Sequence, residues 1–457
     1  MIILRNRRER YRSLYPSRII ISVYLLIILT GSFILFLPFS SRNISYIDAL
    51  FTSTSAFCVT GLIVKDTAVD FSFFGKIIIL ILIQIGGLGY MVFSNVIGIM
   101  LRRRLSLRDL TLTKEEYHID ELGDVRRVIK WIIITTFTVE TMGIVILYSQ
   151  FLGEFNSLLA LKHSIFHSVS AFCNAGFSTI SSNLTGYYKK PVIPLTIAFL
   201  FITGGLGFLT IRDVALRAIG MKKHTYSQTK MVLFITFFLL LTYTIIITGF
   251  EWNNTLKDLN ISEKILTGFF MASTPRTAGF NLVDVGRFLP VTLFLITIAM
   301  YIGASPGGTG GGVKTTTFGA IIFWIISCIK GNEETNFRNR RISQETINRA
   351  FLLVSITLSY IVFVIILLLI TESDVYYSKG LLPIIFEVFS AFGTVGLSTG
   401  STRNPNLSLS ADFTTGGKIL IISLMILGRV GALSIVTSIM KRKKEKIKFT
   451  VSKMQVG

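Results

Sequence analysis

Ser55-Ala56-Phe57-Cys58-Val59-Thr60-Gly61 is a seven-residue phrase that returns, altered, at three later places in the chain. They are Ser170-Ala171-Phe172-Cys173-Asn174-Ala175-Gly176, Ser273-Thr274-Pro275-Arg276-Thr277-Ala278-Gly279 and Ser390-Ala391-Phe392-Gly393-Thr394-Val395-Gly396. The register extends outward from the phrase. A phenylalanine stands ten residues before each glycine (Phe51, Phe166, Phe269, Phe386), and an apolar residue follows each one (Leu62, Phe177, Phe280, Leu397). Four copies of one unit predict four quasi-equivalent elements around a common axis.

The composition sets the surroundings of that axis. Of 457 residues, 51% are hydrophobic and 16% charged, with a mean hydropathy of +0.64; soluble domains carry about 25% charged residues. Apolar runs near the ~20 residues that cross a bilayer cover Ile19–Leu37, Ile77–Leu101, Ile129–Tyr148, Val192–Leu209, Met231–Thr248, Phe351–Ile370 and Ile419–Met440. Val291–Ile302 is too short to cross, and Phe318–Ile329 follows it after a glycine-rich break, so the two read as one interrupted helix. The total is eight spans. Arg5, Arg7, Arg8, Arg10 and Arg12 precede a full-length span without a small-residue cleavage pattern, so no signal peptide is expected.

A net charge of +21 raises the question of nucleic acid. Its distribution answers it. With the N-terminus inside and each unit crossing out and back, the inner segments hold most of the lysine and arginine, while the outer segments are balanced. This is the positive-inside bias. It predicts a multi-pass protein of the plasma membrane with both termini cytoplasmic. Lys441-Arg442-Lys443-Lys444 then reads as a topology anchor touching lipid headgroups, not as a nucleic-acid patch.

Each unit reads as span, short segment, glycine phrase, span. The short segments, near Asp48–Phe57, Ser164–Cys173, Ser262–Thr274 and Pro383–Gly393, are too short to cross. Half-crossing helices followed by irregular backbone survive at membrane depth only where protein encloses them or they line water, which makes them candidate pore helices and filter strands. The expected division is a basic N-terminus 1–18, pore repeats 19–101, 128–218, 228–329 and 345–440, and a basic tail 441–457. The fold class is thus an all-α integral membrane protein, with four span–pore-helix–filter–span repeats around one pore. The returning spans also align, through Ile85-Gly86-Gly87-Leu88-Gly89, Thr203-Gly204-Gly205-Leu206-Gly207, Ile302-Gly303-Ala304-Ser305-Pro306 and Leu427-Gly428-Arg429-Val430-Gly431. In units one and two this motif serves either close helix packing through small residues or a functional role; units three and four depart from it.

A dehydrated potassium ion needs oxygens in place of its water shell, and rings of backbone carbonyls supply them without full charges. Glycine lets a strand approach the axis in conformations closed to other residues, and four helix C-termini add partial negative charge. One glycine phrase is weak evidence for such a site; four in register, each bracketed by spans, are strong.

At these residues the chain resembles the Trk/Ktr/HKT superfamily of potassium transporters over roughly residues 15–445, and most of all the membrane subunit of a bacterial Ktr system. The resemblance implies potassium uptake, a homodimer of two pores, and a cytosolic ring of nucleotide-binding RCK subunits. It places the filter at Cys58, Val59, Thr60 and Gly61; Cys173, Asn174, Ala175 and Gly176; Arg276, Thr277, Ala278 and Gly279; and Gly393, Thr394, Val395 and Gly396. Glycine at position 61, where sodium-preferring members carry serine, implies potassium. No cofactor is implied beyond the transported potassium, with sodium as a candidate coupling or activating ion. Arg276 is a full charge inside the phrase. Its side chain is expected to point behind the filter to a carboxylate or a carbonyl, with Glu140 or Glu387 as candidate partners, because a cation in the path would repel potassium.

Unit three continues as Gly303-Ala304-Ser305-Pro306-Gly307-Gly308-Thr309-Gly310-Gly311-Gly312-Val313-Lys314. A P-loop is excluded, because Val313 separates glycine from lysine and no strand precedes the stretch. Such a sequence cannot continue a helix. The resemblance implies an intramembrane gate over 303–314, formed by Ala304, Ser305, Pro306, Gly307, Gly308, Thr309, Gly310, Gly311, Gly312 and Lys314, with Arg429 close by. Arg429 alternatively packs between helices against a carbonyl. His163 and His167 share a helix face but have no third ligand, so packing is preferred over metal. Cys58 and Cys173 read as small residues behind a tight loop, and Cys328 as an apolar membrane residue. No nucleophile–base pair stands out, so an integral-membrane enzyme is the weak rival. The nearer rival is a sodium-preferring or poorly selective transporter of the same superfamily.

Overall fold

The computed structural model describes residues 16–89, 125–222, 224–338 and 340–431. The basic N-terminus up to residue 15, the tail 441–457 and the loop 102–124 lie outside them. Helices dominate, in the order α1 (Pro16–Phe36), α2 (Tyr46–Phe57), α3 (Phe73–Leu88), α4 (Val125–Phe151), α5 (Ser157–Phe172), α6 (Val192–Gly205), α7 (Phe208–Ala218), α8 (Ser227–Glu251), α9 (Ile261–Ser273), α10 (Pro290–Tyr301), α11 (Thr315–Ile329), α12 (Gln344–Thr371), α13 (Ser373–Lys379), α14 (Leu381–Gly393) and α15 (Thr415–Val430). A two-stranded hairpin pairs Asn336–Phe337 with Arg340–Arg341.

The short helices α2, α5, α9 and α14 begin where the sequence provides a stop and a cap. Ser45 accepts from Asp48 N, Asn156 accepts from Leu159 N, and Asn260 with Glu263 closes a capping box. Gly380, with φ 84°, sets the start of α14. The second of them starts seven residues before the expected Ser164, because Asn156 caps it there.

Packing joins these helices into a closed cycle. The returning helix of each unit lies on the short helix of the next: α3 on α5, α6 on α9, α10 on α14, and α15 back on α2. α4, α8 and α12 each contain a stretch long and apolar enough to cross a membrane, and shorter apolar helices, including α3, α10 and α11, stand beside them. Their outward faces carry exposed large apolar residues such as Phe137, Val145, Phe237, Ile245, Phe363 and Ile370. That is the arrangement of a multi-pass membrane protein, whose solvent on those faces is lipid.

The returning spans are not the unbroken helices expected over Ile77–Leu101, Val192–Leu209 and Ile419–Met440. α3, α6 and α15 stop at or just before Gly89, Gly207 and Gly431, whose φ values are 77°, 88° and 85°. After Gly207 the chain turns by 103° into α7; the continuations 90–101 and 432–440 lie outside the described residues. Apolarity carries on through these breaks, which is why hydropathy misses them. In unit three the helix stops earlier, at Tyr301, and 302–314 runs as irregular backbone tied by an Ile302–Val313 bridge before α11 begins.

The aligned returning glycines act in packing. A Cβ on Gly86, Gly204 or Gly428 would fall on the carbonyl oxygen of Phe57, Phe172 or Phe392 in its own unit's short helix. Gly303 instead meets Gly311 of its own irregular segment.

Candidate functional site

The four glycine loops share one backbone plan. The residue two before each glycine has positive φ, at Val59 (51°), Asn174 (60°), Thr277 (71°) and Thr394 (50°), and so does each glycine, at 89°, 70°, 75° and 90°. A β-branched residue in this region is strained, so the surroundings must hold it. A hydroxyl from the preceding helix does so. Ser55 Oγ donates to Leu62 O at 2.7 Å and accepts from Gly61 N at 3.1 Å. Ser170 Oγ donates to Phe177 O at 2.7 Å, and Gly396 N donates to Ser390 Oγ at 3.1 Å.

Unit three departs from the constant spacing. There Thr274, not Ser273, donates to the carbonyl after the glycine, Phe280 O, at 2.7 Å. The fully buried phenylalanine is Phe270, while Phe269, counted in the repeat, is only partly buried; Phe51, Phe166 and Phe386 are buried. The third loop is therefore one residue shorter between its anchoring hydroxyl and its glycine.

The loops meet as a ring. A Cβ on Gly61 would strike Ala175 O, one on Gly176 would lie 3.0 Å from Ala278 O, one on Gly279 would strike Val395 O, and one on Gly396 would strike Thr60 O. Each glycine thus abuts the carbonyl just before the next glycine, and the fourth closes on the first. Thr60, Ala175, Ala278 and Val395 are all fully buried. Among the described residues no donor reaches their carbonyl oxygens. Buried carbonyls are rarely left without a partner, so a ring of four is suited to a dehydrated cation. The helices end at Phe57, Phe172, Ser273 and Gly393, directly before these strands, and direct their partial negative charge there.

On one side the ring opens into a cavity of about 550 Å³ lined by Gly61, Gly176, Gly279 and Gly396 and, two residues further on, by Ile63, Ser178, Asn281 and Ser398. Asp66, Asp258 and Asp284 share its walls with Lys257 and Arg287.

The segment 303–314 lies at the other end of the strands. Thr309 Oγ1 is 2.9 Å from the Asn174 amide, Gly311 N donates to Thr394 Oγ1 at 2.9 Å, and Gly310 packs on Thr277. Three of the four positive-φ residues are thus in contact with it. Ser305 N and Thr309 N donate to Gly205 O and Gly204 O, and Gly312 N to Gly428 O. Phe208 N donates to Gly307 O, Pro306 and Gly308 lie against Gly207, and Thr315 N donates to Ala304 O. Lys314 Nζ donates back to Gly310 O at 2.7 Å. Arg429 donates to Thr309 O and to Gly86 O, with Gly87 O at 3.3 Å. It therefore contacts this segment and also bonds the carbonyls at the end of α3.

Arg276 does not meet its expected partners. Glu140 takes Gln84 Nε2 at 3.1 Å, and Glu387 takes Ser398 and Ser410. The Arg276 Nε has no hydrogen-bond partner among the described residues. His163 and His167 bond Thr179 and Ser178 at 2.6 and 3.0 Å. Cys58 and Cys173 are buried free thiols, whereas Cys328 is exposed on α11. The hydroxyl anchors Ser55, Ser170, Thr274 and Ser390 were overlooked as site residues, although a hydroxyl opens every copy of the phrase.

The chain matches the TrkH family, described as cation transport proteins, over residues 5–448. It belongs to that family. Across 450 residues it is 37% identical to Ktr system potassium uptake protein B of Bacillus subtilis (strain 168), with 97% of each chain covered. It is 37% identical over 439 residues to potassium/sodium uptake protein NtpJ of Enterococcus hirae, with 95% of each covered. The solved structure of the potassium transporter TrkH from Vibrio parahaemolyticus shares the fold, with a TM-score of 0.73 at 18% identity, covering 94% of this chain and 85% of that one. The TrkH family and these relatives are transporters, which accords with the absence of an evident catalytic constellation in the sequence. Within this Ktr/Trk potassium-uptake family, the ring and the segment against it are the features of this chain to explain.

Proposed function

We propose that this chain is the ion-conducting membrane subunit of a potassium uptake system, with eight spans in four repeats around one pore and both termini in the cytoplasm. The four glycine loops are its selectivity filter. The observation that carries this reading is the closed cycle of four buried, donor-free carbonyls, each against the glycine of the next loop. The cavity is the outer vestibule, and 303–314 is the gate beneath the filter, held by Arg429. A homodimer and a cytosolic nucleotide-binding RCK ring follow from the resemblance; the Ktr naming of relatives supports partners of that kind.

Potassium uptake in cells lacking their own uptake systems tests this, with the chain supplied alongside its cytosolic partner. Expression should restore growth at limiting potassium, and external sodium should compete weakly. The relative named for both potassium and sodium favours a second reading, a poorly selective cation pathway. Equal competition by the two ions would establish that reading and remove the first.

A further inference from the structure

Behind the vestibule, two buried ionisable side chains hold corresponding points of two loops. His167 and Glu387 both stand nine residues before their filter glycines, Gly176 and Gly396, and both are fully buried. His167 Nδ1 is 2.8 Å from His163 O, which can only accept, so that nitrogen carries the proton. Its Nε2 therefore accepts, and lies 3.0 Å from Ser178 Oγ, whose one hydroxyl proton is shared between this nitrogen and Ile180 O at 2.9 Å, while the oxygen accepts from Ile180 N. Glu387 Oε2 accepts from Ser398 Oγ at 2.7 Å, and Oε1 accepts from Ser410 N at 2.9 Å and Ser410 Oγ at 2.5 Å. Ser178 and Ser398 each follow their glycine by two residues, and both line the vestibule.

The ring order puts units two and four diagonally opposite. Among the described residues no ionisable side chain backs the other diagonal, whose outer ends are tied differently: Ile63 N donates to Ser408 Oγ and Ile63 O accepts from Ser408 N, both at 2.9 Å, and Leu282 O accepts from Gly186 N at 3.4 Å. In unit one the equivalent residue is Thr52, whose hydroxyl turns back to Asp48 O at 2.8 Å. In unit three, allowing for the shorter loop, it is Met271, whose sulfur meets Leu282 N at 3.5 Å. Buried ionisable side chains thus back units two and four and not units one and three.

We propose that His167 and Glu387 are positioning residues which, through Ser178 and Ser398, hold the outer ends of one diagonal of the ring and so set the preference for potassium over sodium. This rests on reading the ring as a filter. Whether selectivity comes from cage size or from carbonyl field strength, a strand end released from its backing can close on a smaller ion. The fastening bonds also favour particular chemistry: Glu387 offers only acceptors to three donors, so an amide there would present N–H groups to N–H and O–H groups.

The test is rubidium uptake by the full chain with its partner, measured per folded transporter, with potassium and sodium as competitors. Ser178→Ala and Ser398→Ala cut the bonds to His167 and Glu387 from the vestibule side and spare the buried groups, and each also removes two bonds to loop backbone, at Ile180 and at Gly400 and Leu409 respectively. Each should lower the potassium-over-sodium preference by at least about three- to tenfold, the scale of one hydrogen bond. Glu387→Gln should lower the preference in the same direction, and the double variant should fall no further than Ser398→Ala alone. Thr52→Val, on the other diagonal, should leave the preference alone. If Gly396→Ser lowers the preference while both serine variants keep it, the positioning role is overturned and the filter stands. If Gly396→Ser also keeps it, the filter reading falls and takes the positioning role with it. Should Glu387→Gln fail to fold, the serine variants still decide.

Discussion

Replacing Arg429 by alanine removes a charged tie between the segment 303–314 and the helices around it. The guanidinium donates to Thr309 O in the segment and to the Gly86 and Gly87 carbonyls at the end of α3. Only the first of these bonds distinguishes a seated segment from a displaced one. A hydrogen bond from a charged donor contributes ~1.5–3 kcal/mol, so its loss shifts the seated-to-displaced ratio by roughly 10- to 150-fold. The seated state keeps Gly311 N to Thr394 Oγ1 at 2.9 Å, Thr309 N to Gly204 O at 3.2 Å and Gly312 N to Gly428 O at 3.2 Å, so the gate should weaken without vanishing. Rubidium flux into vesicles, per folded transporter and with and without the cytosolic partner, reads this out. Arg429→Ala should conduct faster without the partner, and Arg429→Lys should fall between, because one ammonium cannot serve both sets of carbonyls. A folded Arg429→Ala with unchanged flux and unchanged partner dependence refutes the argument. A lower protein yield with no gain per molecule would leave Arg429 as a packing residue only.

Three further changes probe the ring, the gate and the closure of the cycle. Gly61→Ser puts a Cβ onto Ala175 O at a φ of 89°, a strain of about 1–3 kcal/mol; growth should need more external potassium, and an unchanged requirement in a normally expressed variant would take Gly61 out of the filter. Deleting Gly310, Gly311 and Gly312 should raise flux and reduce its dependence on the partner, and a stable, selective variant with neither effect would end the gate reading. Asp48→Asn breaks the 2.7 Å contact with Lys418 that joins the first unit to the fourth. Its cost is on the order of 1–3 kcal/mol for a largely buried pair, and a thermal melt in detergent should show a lower midpoint with potassium preference retained.

The phrase made the ring legible from sequence because the same backbone conformation demands the same residues four times. Glycine sits where φ is positive and a neighbour's carbonyl leaves no room, and a hydroxyl sits one and a half turns earlier to hold the strand. The shorter third loop was hidden by chance: Phe269 and Phe270 are adjacent, so counting from either gives a plausible register. The breaks at Gly89, Gly207 and Gly431 were invisible for a different reason. Hydropathy registers which residues prefer lipid, and apolar residues continue past each glycine, while the break is a backbone event. Of the partners expected for Arg276, a carboxylate or a carbonyl, the two carboxylates are engaged elsewhere, which spacing in the sequence does not reveal. Glu387 was already committed to three donors, and Glu140 to Gln84.

Four-fold repetition and its departures serve opposite needs. A ring of carbonyls around one ion, as proposed here, is most uniform when its units match, and the four ring glycines and their positive-φ partners do match. A gate cannot be four-fold on the same axis, because one obstruction fills the space. The departures gather accordingly in unit three, where the returning helix gives up its last turn at Tyr301 and 302–314 crosses beneath the ring. The other units then adapt to that one segment. Unit two supplies Asn174 and the Gly204 and Gly205 carbonyls, unit four supplies Thr394, Gly428 and Arg429, and unit one supplies the Gly86 and Gly87 carbonyls that share the guanidinium. A seated segment therefore bonds directly to two neighbouring repeats and reaches the first through Arg429. Its displacement breaks contacts in more than one repeat together, which makes two discrete positions more natural than a continuum between them.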